Sequence, residues 1–180
     1  GDVCVLSRAY VADGRAVVCV RTPVDNEGEG AYESDGLLTI VPRNRRQPFQ
    51  ARRLISMLVD RDSFFEISPL HGKARITGLA RLHGYPVGLM CNDPMHGGGA
   101  TDIAAGGKAM RLIQLCNTFH LPLISLADEP GFQVGIESER QGIERAGARL
   151  LSTVCMSEMP WCTVVIGRLY GVGGQCHHRP

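Results

Sequence analysis

The spacing of apolar and polar positions along the chain predicts a series of strands and amphipathic helices. In three stretches, apolar residues recur every three or four positions, which is the spacing of one buried helix face. These helical stretches are Ala51–Val59, Ala105–Cys116 and Ile143–Val154. Strands are predicted at Leu37–Val41, Ala74–Leu82, Tyr85–Cys91, Leu123–Ala127 and Trp161–Leu169. We expect the last two strands to be buried on both faces, as apolar strands of parallel sheets usually are.

The first part of the chain has a different pattern. The apolar runs Val3–Leu6 and Ala16–Val20 flank a turn signal at Ala12-Asp13-Gly14 and predict a hairpin. Residues 22–36 contain five acidic residues, Pro and Gly, with few large apolar side chains, which is typical of a linker. We therefore expect residues 1–35 to be a separate N-terminal segment and residues 36–180 to form the domain.

The elements between residues 85 and 170 follow the order strand, helix, strand, helix, strand. This α/β order predicts parallel strands joined by right-handed crossovers. Three glycine-bearing loops then leave the carboxyl edge of the sheet, where α/β proteins bind ligands. These loops are Asn92–Gly99, Asp128–Gly135 and Tyr170–Gly174. Glycine lets a backbone N–H approach a ligand closely, so Gly171–Gly174 is a candidate oxyanion hole. Gly131 and Gly135 lie at the start of the third helix and are candidates for binding an anion.

Composition and charge argue against several classes of protein to which the chain could belong. The chain has 180 residues, 44% of them apolar, and a net charge of +1, which argues against a nucleic-acid binder. No run reaches the ~18 apolar residues of a membrane span, and no basic segment followed by an apolar run marks a secretory signal. The seven cysteines include no C-x-x-C pair, so no metal site is expected, and reduced thiols in a cytoplasmic compartment are the simplest interpretation. Cys116 and Cys162 lie among apolar residues and are expected to be buried.

Few side chains point to acid–base chemistry. A basic stretch indicates either an exposed helix start or a site for an anionic ligand, and its residues are Arg43, Arg45, Arg46, Arg52 and Arg53. His96 is either a site residue or a packing residue of its glycine loop, while Asp128 and Glu129 are either bases or helix caps. His177 and His178 are adjacent, which makes them poor joint metal ligands. Neither a phosphate-loop motif nor a G-x-S-x-G motif is present, so chemistry by backbone hydrogen bonds is favoured.

The segments around these loops carry a family resemblance. They are ITGLARLHGYPVGLMCNDP, LPLISLADEPGFQVGIESERQGIERAGARLLSTV and MPWCTVVIGRLYGVGG, preceded by IVPRNRRQPFQARRLI and VDRDSFFEI. In this order they resemble the C-terminal half of the carboxyltransferase (beta) subunit of biotin-dependent acyl-CoA carboxylases, of the propionyl-, acetyl- or methylcrotonyl-CoA carboxylase type. The resemblance covers residues 36–180, which it identifies as part of a carboxyltransferase domain.

The resemblance implies a crotonase-like α/β fold and transfer of a carboxyl group from N-carboxybiotin to an acyl-CoA. In the family, backbone N–H pairs stabilise the negative charge that develops, and the biotin-side pair matches Val172 and Gly173 here. The positions expected to bind biotin or substrate are Gly131, Phe132, Gly135, Gly171, Gly174 and Gln175, the last at a position linked to acyl-chain choice. The implied partners are a biotin carboxylase, a biotin carboxyl carrier that holds the cofactor, the acyl-CoA substrate and further copies of the same subunit, with no nucleic acid or membrane.

Two other functions stay open at this point. A crotonase-type hydratase or isomerase, acting on CoA thioesters without biotin, would need an acid–base carboxylate, for which Glu129 is the candidate. A non-catalytic assembly subunit would need no chemistry at Gly171–Gly174. The family's N-terminal half, which holds most of the CoA site, has no counterpart in this sequence, so we expect these 180 residues to be a fragment that is inactive alone.

Overall fold

The computed structural model describes residues 8–12, 15–19, 37, 39–44 and 47–178. Strands β1 (Arg8–Ala12) and β2 (Arg15–Cys19) pair antiparallel. This pairing confirms the second strand of the predicted hairpin, but the strand paired with it is Arg8–Ala12, which was not among the predicted apolar runs. The run Val3–Leu6 and the linker predicted at residues 22–36 lie outside the described residues.

The other described strands form one five-stranded sheet. They are β3 (Phe65–Glu66), β4 (Arg75–Leu82), β5 (Tyr85–Asn92), β6 (Leu123–Glu129) and β7 (Trp161–Leu169), and they lie in that order. The first three strands pair antiparallel, whereas β5, β6 and β7 run parallel. A tight turn at His83-Gly84 joins β4 to β5, and its two N–H groups donate to the Asp60 carboxylate at 2.9 and 2.6 Å. The hairpin and the parallel strands predicted from the sequence are both confirmed.

Helices cover both faces of this sheet. They are α1 (Ala51–Leu58), α2 (Ile103–Phe119), α3 (Ile136–Arg140), α4 (Ile143–Cys155) and α5 (Gly171–Gln175). On one face, Ile55 of α1 packs into a cluster with Leu89 of β5; on the other, Ile113 of α2 and Leu150 of α4 pack together. The three predicted amphipathic helices are therefore confirmed as α1, α2 and α4. None of the helices in the described ranges is long and apolar enough to cross a membrane.

The strand predicted at Leu37–Val41 is wrong. The described residues Leu37, Thr39 and Ile40 are helical. Leu37, Ile40 and Val41 are three and four positions apart, and all three pack against the α1 side of the core. This is the spacing of a helix face, which a run of only five apolar residues does not distinguish from a strand.

The environment of β7 and the conformation after it also differ from the prediction. β7 exists with the predicted bounds, but it is the edge of the described sheet rather than a strand buried on both faces. Accordingly, Val164 and Val165 are 44% and 54% exposed. The predicted exit loop is mostly helical, because α5 begins at Gly171 and the Gly174 N–H donates to the Tyr170 carbonyl at 2.9 Å.

Candidate functional site at the carboxyl edge of the parallel strands

The three predicted loops meet at one edge of the sheet. The Tyr170 N–H, just after β7, donates to the Glu129 carbonyl at the end of β6 at 3.0 Å. The Arg168 Nη2 donates to the Gly98 carbonyl in the loop after β5 at 2.7 Å. The parallel topology places the carboxyl ends of the strands together, as the order of elements predicts.

Helix α5 presents unpaired backbone donors at this edge. Val172 and Gly173 lie in its first turn, where N–H groups have no intrahelical acceptor. Within the described part of the chain, no hydrogen bond from these two N–H groups occurs. The Val172 side chain is 55% exposed and Gly173 is buried. Of the other expected site residues here, Gly171 has φ +57°, Gly174 is buried, and Gln175 is exposed.

Gly173 packs directly on the end of β6. A Cβ atom at this position would lie 3.0 Å from the Gly131 Cα and 3.1 Å from the Glu129 Cγ, both closer than ordinary contacts. A side chain at position 173 would therefore force its neighbours at the end of β6 to shift. The same contact brings the two expected glycine loops, after β6 and after β7, against each other.

The three expected site residues in the loop after β6 lie in different environments. Gly131 (φ +115°) is tied to the segment between the first loop and α2 by the Thr101 N–H, which donates to its carbonyl at 3.1 Å. The Phe132 ring instead packs on Gly147 of α4, where an added Cβ would lie 3.0 Å from the ring. Gly135 (φ +130°) precedes the five-residue helix α3, not the long helix α4 as predicted. The structure thus groups Gly131 with α5, and places Phe132 toward the core.

A buried ionic network lies beneath these loops. The Glu129 Oε2 accepts hydrogen bonds from Arg75 Nη2 at 2.7 Å, Thr101 Oγ1 at 2.6 Å and Asn92 Nδ2 at 3.0 Å. Its Oε1 accepts the Gly131 N–H at 2.9 Å. Arg75 and Glu129 are 1% and 0% exposed. One carboxylate therefore connects β4, β5, β6 and the segment that precedes α2.

Glu129 is held ionised and is not a free base. Burial by itself raises its pKa, but the Arg75 charge and the hydrogen-bond donors Thr101 and Asn92 lower the pKa to about 2. A general base must reach a substrate proton, and a carboxylate with both oxygens occupied inside the core does not. The geometry therefore does not supply the acid–base carboxylate that a hydratase would need at this position.

His177, just after α5, completes the network. Its Nε2 lies 2.6 Å from Arg75 Nη1, and its Nδ1 lies 2.7 Å from Ser125 Oγ. Because arginine only donates, Nε2 accepts and the ring proton is on Nδ1, directed at Ser125. Burial, and then the Arg75 charge, lower the pKa of His177 to about 4. The neutral ring is thus a fixed structural acceptor, with 0% exposure.

Asp128 is also held by an arginine. Arg168 donates to Asp128 Oδ1 through Nε at 2.8 Å and to Oδ2 through Nη2 at 2.8 Å. The pair forms one wall of a cleft of about 440 Å³, which Arg43, Phe49 and Ile166 also line. This cleft opens at the same edge of the sheet as the three loops.

In the basic stretch, Arg52 and Arg53 lie at the start of α1, and Arg52 is paired. The Arg52 guanidinium forms ion pairs with Glu66 at 2.8 Å and with Asp93 at 2.8 Å. His96, the candidate in the first loop, is half-exposed and lies 3.2 Å from the same Asp93 carboxylate. Arg43 lines the cleft, and Arg45 and Arg46 are outside the described residues.

Five cysteines, all between residues 91 and 176, divide into two groups. Cys91, Cys116 and Cys176 are buried, whereas Cys155 and Cys162 are exposed. Burial raises the pKa of Cys116 to about 12. The expected burial is confirmed for Cys116 and wrong for Cys162, which lies on the edge strand β7. Within the described ranges, no group of three His, Cys, Asp or Glu side chains could hold a metal ion.

Sequence reasoning missed most members of the network. Arg75 stands in a strand of small residues, and Ser125 in an apolar strand, with nothing local to mark either as a partner. Asn92 begins the predicted first loop, Thr101 lies just after it, and His177 was expected only to be a poor metal ligand. The available signal was a charged residue inside each of two core strands, which needs a partner when buried.

Comparison with known proteins identifies the family. A family model described as the carboxyl transferase domain matches residues 10–176. The protein named uncharacterized carboxylase YngE of Bacillus subtilis is 38% identical over 168 residues, which are 93% of this chain and 33% of that protein. The propionyl-CoA carboxylase beta chain of Saccharopolyspora erythraea is 37% identical over 147 residues, 82% of this chain and 26% of that one. The chain thus spans about a third or less of these relatives.

Solved structures show the same fold. The transcarboxylase 12S hexamer with hydrolysed methylmalonyl-coenzyme A bound matches with a TM-score of 0.79 and 31% identity, over 83% of this chain and 29% of that chain. A single-chain, multi-domain long-chain acyl-CoA carboxylase matches with a TM-score of 0.77 and 35% identity, over 78% of this chain and 14% of that chain. The expected crotonase-like α/β fold is confirmed. From its sequence, its fold and its relatives, this chain belongs to the carboxyl transferase domain family.

Proposed function

We propose that this chain contributes to carboxyl transfer from N-carboxybiotin to an acyl-CoA within a biotin-dependent acyl-CoA carboxylase. Membership of the carboxyl transferase domain family supports the reaction class. The observation that carries the proposal is the pair of unpaired N–H groups of Val172 and Gly173, at the edge where three parallel strands end. We also propose residues 36–180 as the part of the chain that forms the carboxyltransferase domain.

The backbone around these donors leaves room for a ligand. Cβ atoms added at Gly131 or Gly171 would meet no atom within 4 Å, so the chain there faces open space. The residues present therefore fit the approach of a ureido ring. When bound, carboxybiotin supplies the carboxyl group, and a proton from the acyl-CoA α-carbon replaces it on the ring nitrogen.

In this proposal, Val172 and Gly173 donate to the oxygen that gains negative charge as the carboxyl group departs. Preorganised N–H donors of this kind act where water is excluded, and one of them contributes about 10²–10³ in kcat. Gly131, Gly171 and Gly174 would shape the backbone around the ligand. Gln175, exposed just beyond, would contact the acyl group.

The partners belong to the same proposal. A biotin carboxylase and a biotin carboxyl carrier would deliver the cofactor, and copies of the same subunit would assemble with it. Two similarities support this: one relative is named a biotin-dependent acetyl-/propionyl-coenzyme A carboxylase beta5 subunit, and one similar structure is described as a hexamer assembly.

The competing hydratase reaction has less support. It needs a carboxylate that can exchange a proton with substrate. At this edge, Glu129 is buried against Arg75, and Asp128 is engaged by Arg168. Neither carboxylate is free for that role in the described structure.

The test is the reverse transfer reaction in the complete protein. A carboxylated acyl-CoA, such as malonyl- or methylmalonyl-CoA, is incubated with and without free biotin, and both thioesters are separated by chromatography. We expect biotin-dependent loss of the carboxylated thioester with equal formation of the acyl-CoA. Hydration of an enoyl-CoA, with no response to biotin, would contradict the proposal.

A further inference from the structure

Helix α5 is too weak to hold its own conformation. It has five residues, Gly171–Gln175, of which three are glycine. Glycine is among the poorest helix formers, and a single helical turn is unfavourable without outside support. The direction of the Val172 and Gly173 N–H groups therefore depends on contacts that α5 makes with the rest of the fold.

Glu129 holds the first end of α5. Its backbone carbonyl accepts the Tyr170 N–H at 3.0 Å, immediately before the helix. Its side chain forms the surface on which Gly173 lies, and its Oε1 accepts the Gly131 N–H at 2.9 Å. One residue thus positions α5 and the Gly131 turn relative to each other.

His177 holds the second end of α5. Its ring is fixed on two sides, by Arg75 Nη1 at 2.6 Å and by Ser125 Oγ at 2.7 Å. Its backbone carbonyl accepts the Trp161 Nε1–H at 2.8 Å and also the hydroxyl of Thr163. His177, two residues after α5, is therefore attached to β4, β6 and β7 at once.

Both attachments meet at Arg75. Its Nη2 donates to Glu129 at 2.7 Å while its Nη1 donates to His177. We propose that Arg75, Glu129 and His177 are positioning residues that clamp α5 at both ends and so set the direction of the Val172 and Gly173 N–H groups. This inference rests on the proposed function of those two groups.

A buried ion pair is a weak source of stability, since well-packed apolar residues of the same volume often serve as well. A satisfied polar network, however, has one geometry, because each donor needs its acceptor in place. The network is therefore better explained by a role in positioning α5 than by a contribution to stability alone.

The test uses a matched pair at His177 and a distant control, all in the complete protein. His177→Gln keeps an acceptor that Arg75 can reach, whereas His177→Leu removes it. Ile55→Ala removes core contacts in α1, on the other face of the sheet, and reports loss of stability without any change at α5. Transfer from a carboxylated acyl-CoA to free biotin is measured at a temperature where every variant is folded.

The clamp predicts a split in the kinetic constants. His177→Leu should lower kcat with biotin about 10–100-fold, because small displacements of a catalytic group have effects of this size. The KM for the carboxylated acyl-CoA should stay near that of the wild type, and His177→Gln should recover much of the loss. If His177→Leu lowers turnover no more than Ile55→Ala does, the clamp is wrong.

Amide hydrogen exchange separates this inference from the proposed function. If the wild type transfers no carboxyl group to biotin, the proposed function fails. The rates of amide exchange at Gly174 and Cys176 then test by themselves whether His177 holds α5 in place. Their N–H groups donate to Tyr170 and Gly173 within and just after α5. Faster exchange there in His177→Leu than in Ile55→Ala supports the clamp, and equal exchange overturns it.

Discussion

Acidification should destabilise this fold through His177. Burial, and then the Arg75 charge, lower the pKa of His177 from 6.5 to about 4, and Glu129 and His178 are the other titratable groups that act on it. The unfolded chain takes up a proton at this histidine near pH 6.5, but the folded chain does so only near pH 4. The unfolded state therefore binds more protons within this window, and stability is lost as the pH falls through it.

The magnitude follows from the size of the shift. A pKa lowered from 6.5 to about 4 predicts that the free energy of unfolding falls by about 3 kcal/mol between pH 7 and pH 4. That is a large share of the total stability of a domain, which is about 5–15 kcal/mol. Glu129 acts in the same direction at lower pH, because its pKa is lowered from 4.5 to about 2.

The assay is urea unfolding at a series of pH values. Free energies of unfolding are measured between pH 7 and pH 4.5 for the wild type, for His177→Gln and for the surface control His71→Gln. Glutamine does not titrate, so His177→Gln should flatten the pH dependence in this window. His71 lies at an exposed position, so its replacement controls for the substitution itself. Parallel curves for the wild type and His177→Gln would refute the assignment of His177 as a buried neutral group.

Two further predictions concern packing and accessibility. Gly88→Ala should destabilise the fold by about 1–3 kcal/mol, because the new Cβ would overlap the Cys116 sulfur. Gly107→Ala should instead raise the free energy of unfolding by about 0.5–1 kcal/mol, because Gly107 lies in α2 and an added Cβ there would meet no atom within 4 Å. Urea midpoints that shift in the same direction for both variants would contradict this contrast. In the folded protein, a thiol reagent should modify Cys155 and Cys162 well before the three buried cysteines, as mass spectrometry of peptides can show. Equal rates at all five positions would exclude the described burial.

The layers of the fold follow from local patterns in the sequence. The helices α1, α2 and α4 were predictable because each has one continuous apolar face, and the turn at His83-Gly84 marked the β4–β5 hairpin. The errors came where a short apolar run allows two structures. Leu37–Val41 has too few residues to separate a helix from a strand, and the exposure of β7 depends on which elements pack against its two faces.

The candidate site was only partly predictable for a different reason. The rule that parallel strands share a carboxyl edge was enough to bring the three glycine loops together. The network of Arg75, Glu129 and His177 spans 102 residues of sequence, and each member has many polar residues as alternative partners. No local spacing selects among them, so the clamp under α5 becomes visible only in the fold.

The backbone donors of α5 can be tested most directly by deleting one N–H. Val172→Pro removes the N–H in the first helical turn, where proline is tolerated because that group has no intrahelical acceptor. Val172→Ala is the matched control, since it trims the same exposed side chain but keeps the N–H. In carboxyl transfer to free biotin by the complete protein, Val172→Pro should lower kcat about 10²–10³-fold while Val172→Ala stays near the wild type. Equal turnover by the two folded variants would contradict the proposal that this N–H stabilises the charge formed in the reaction.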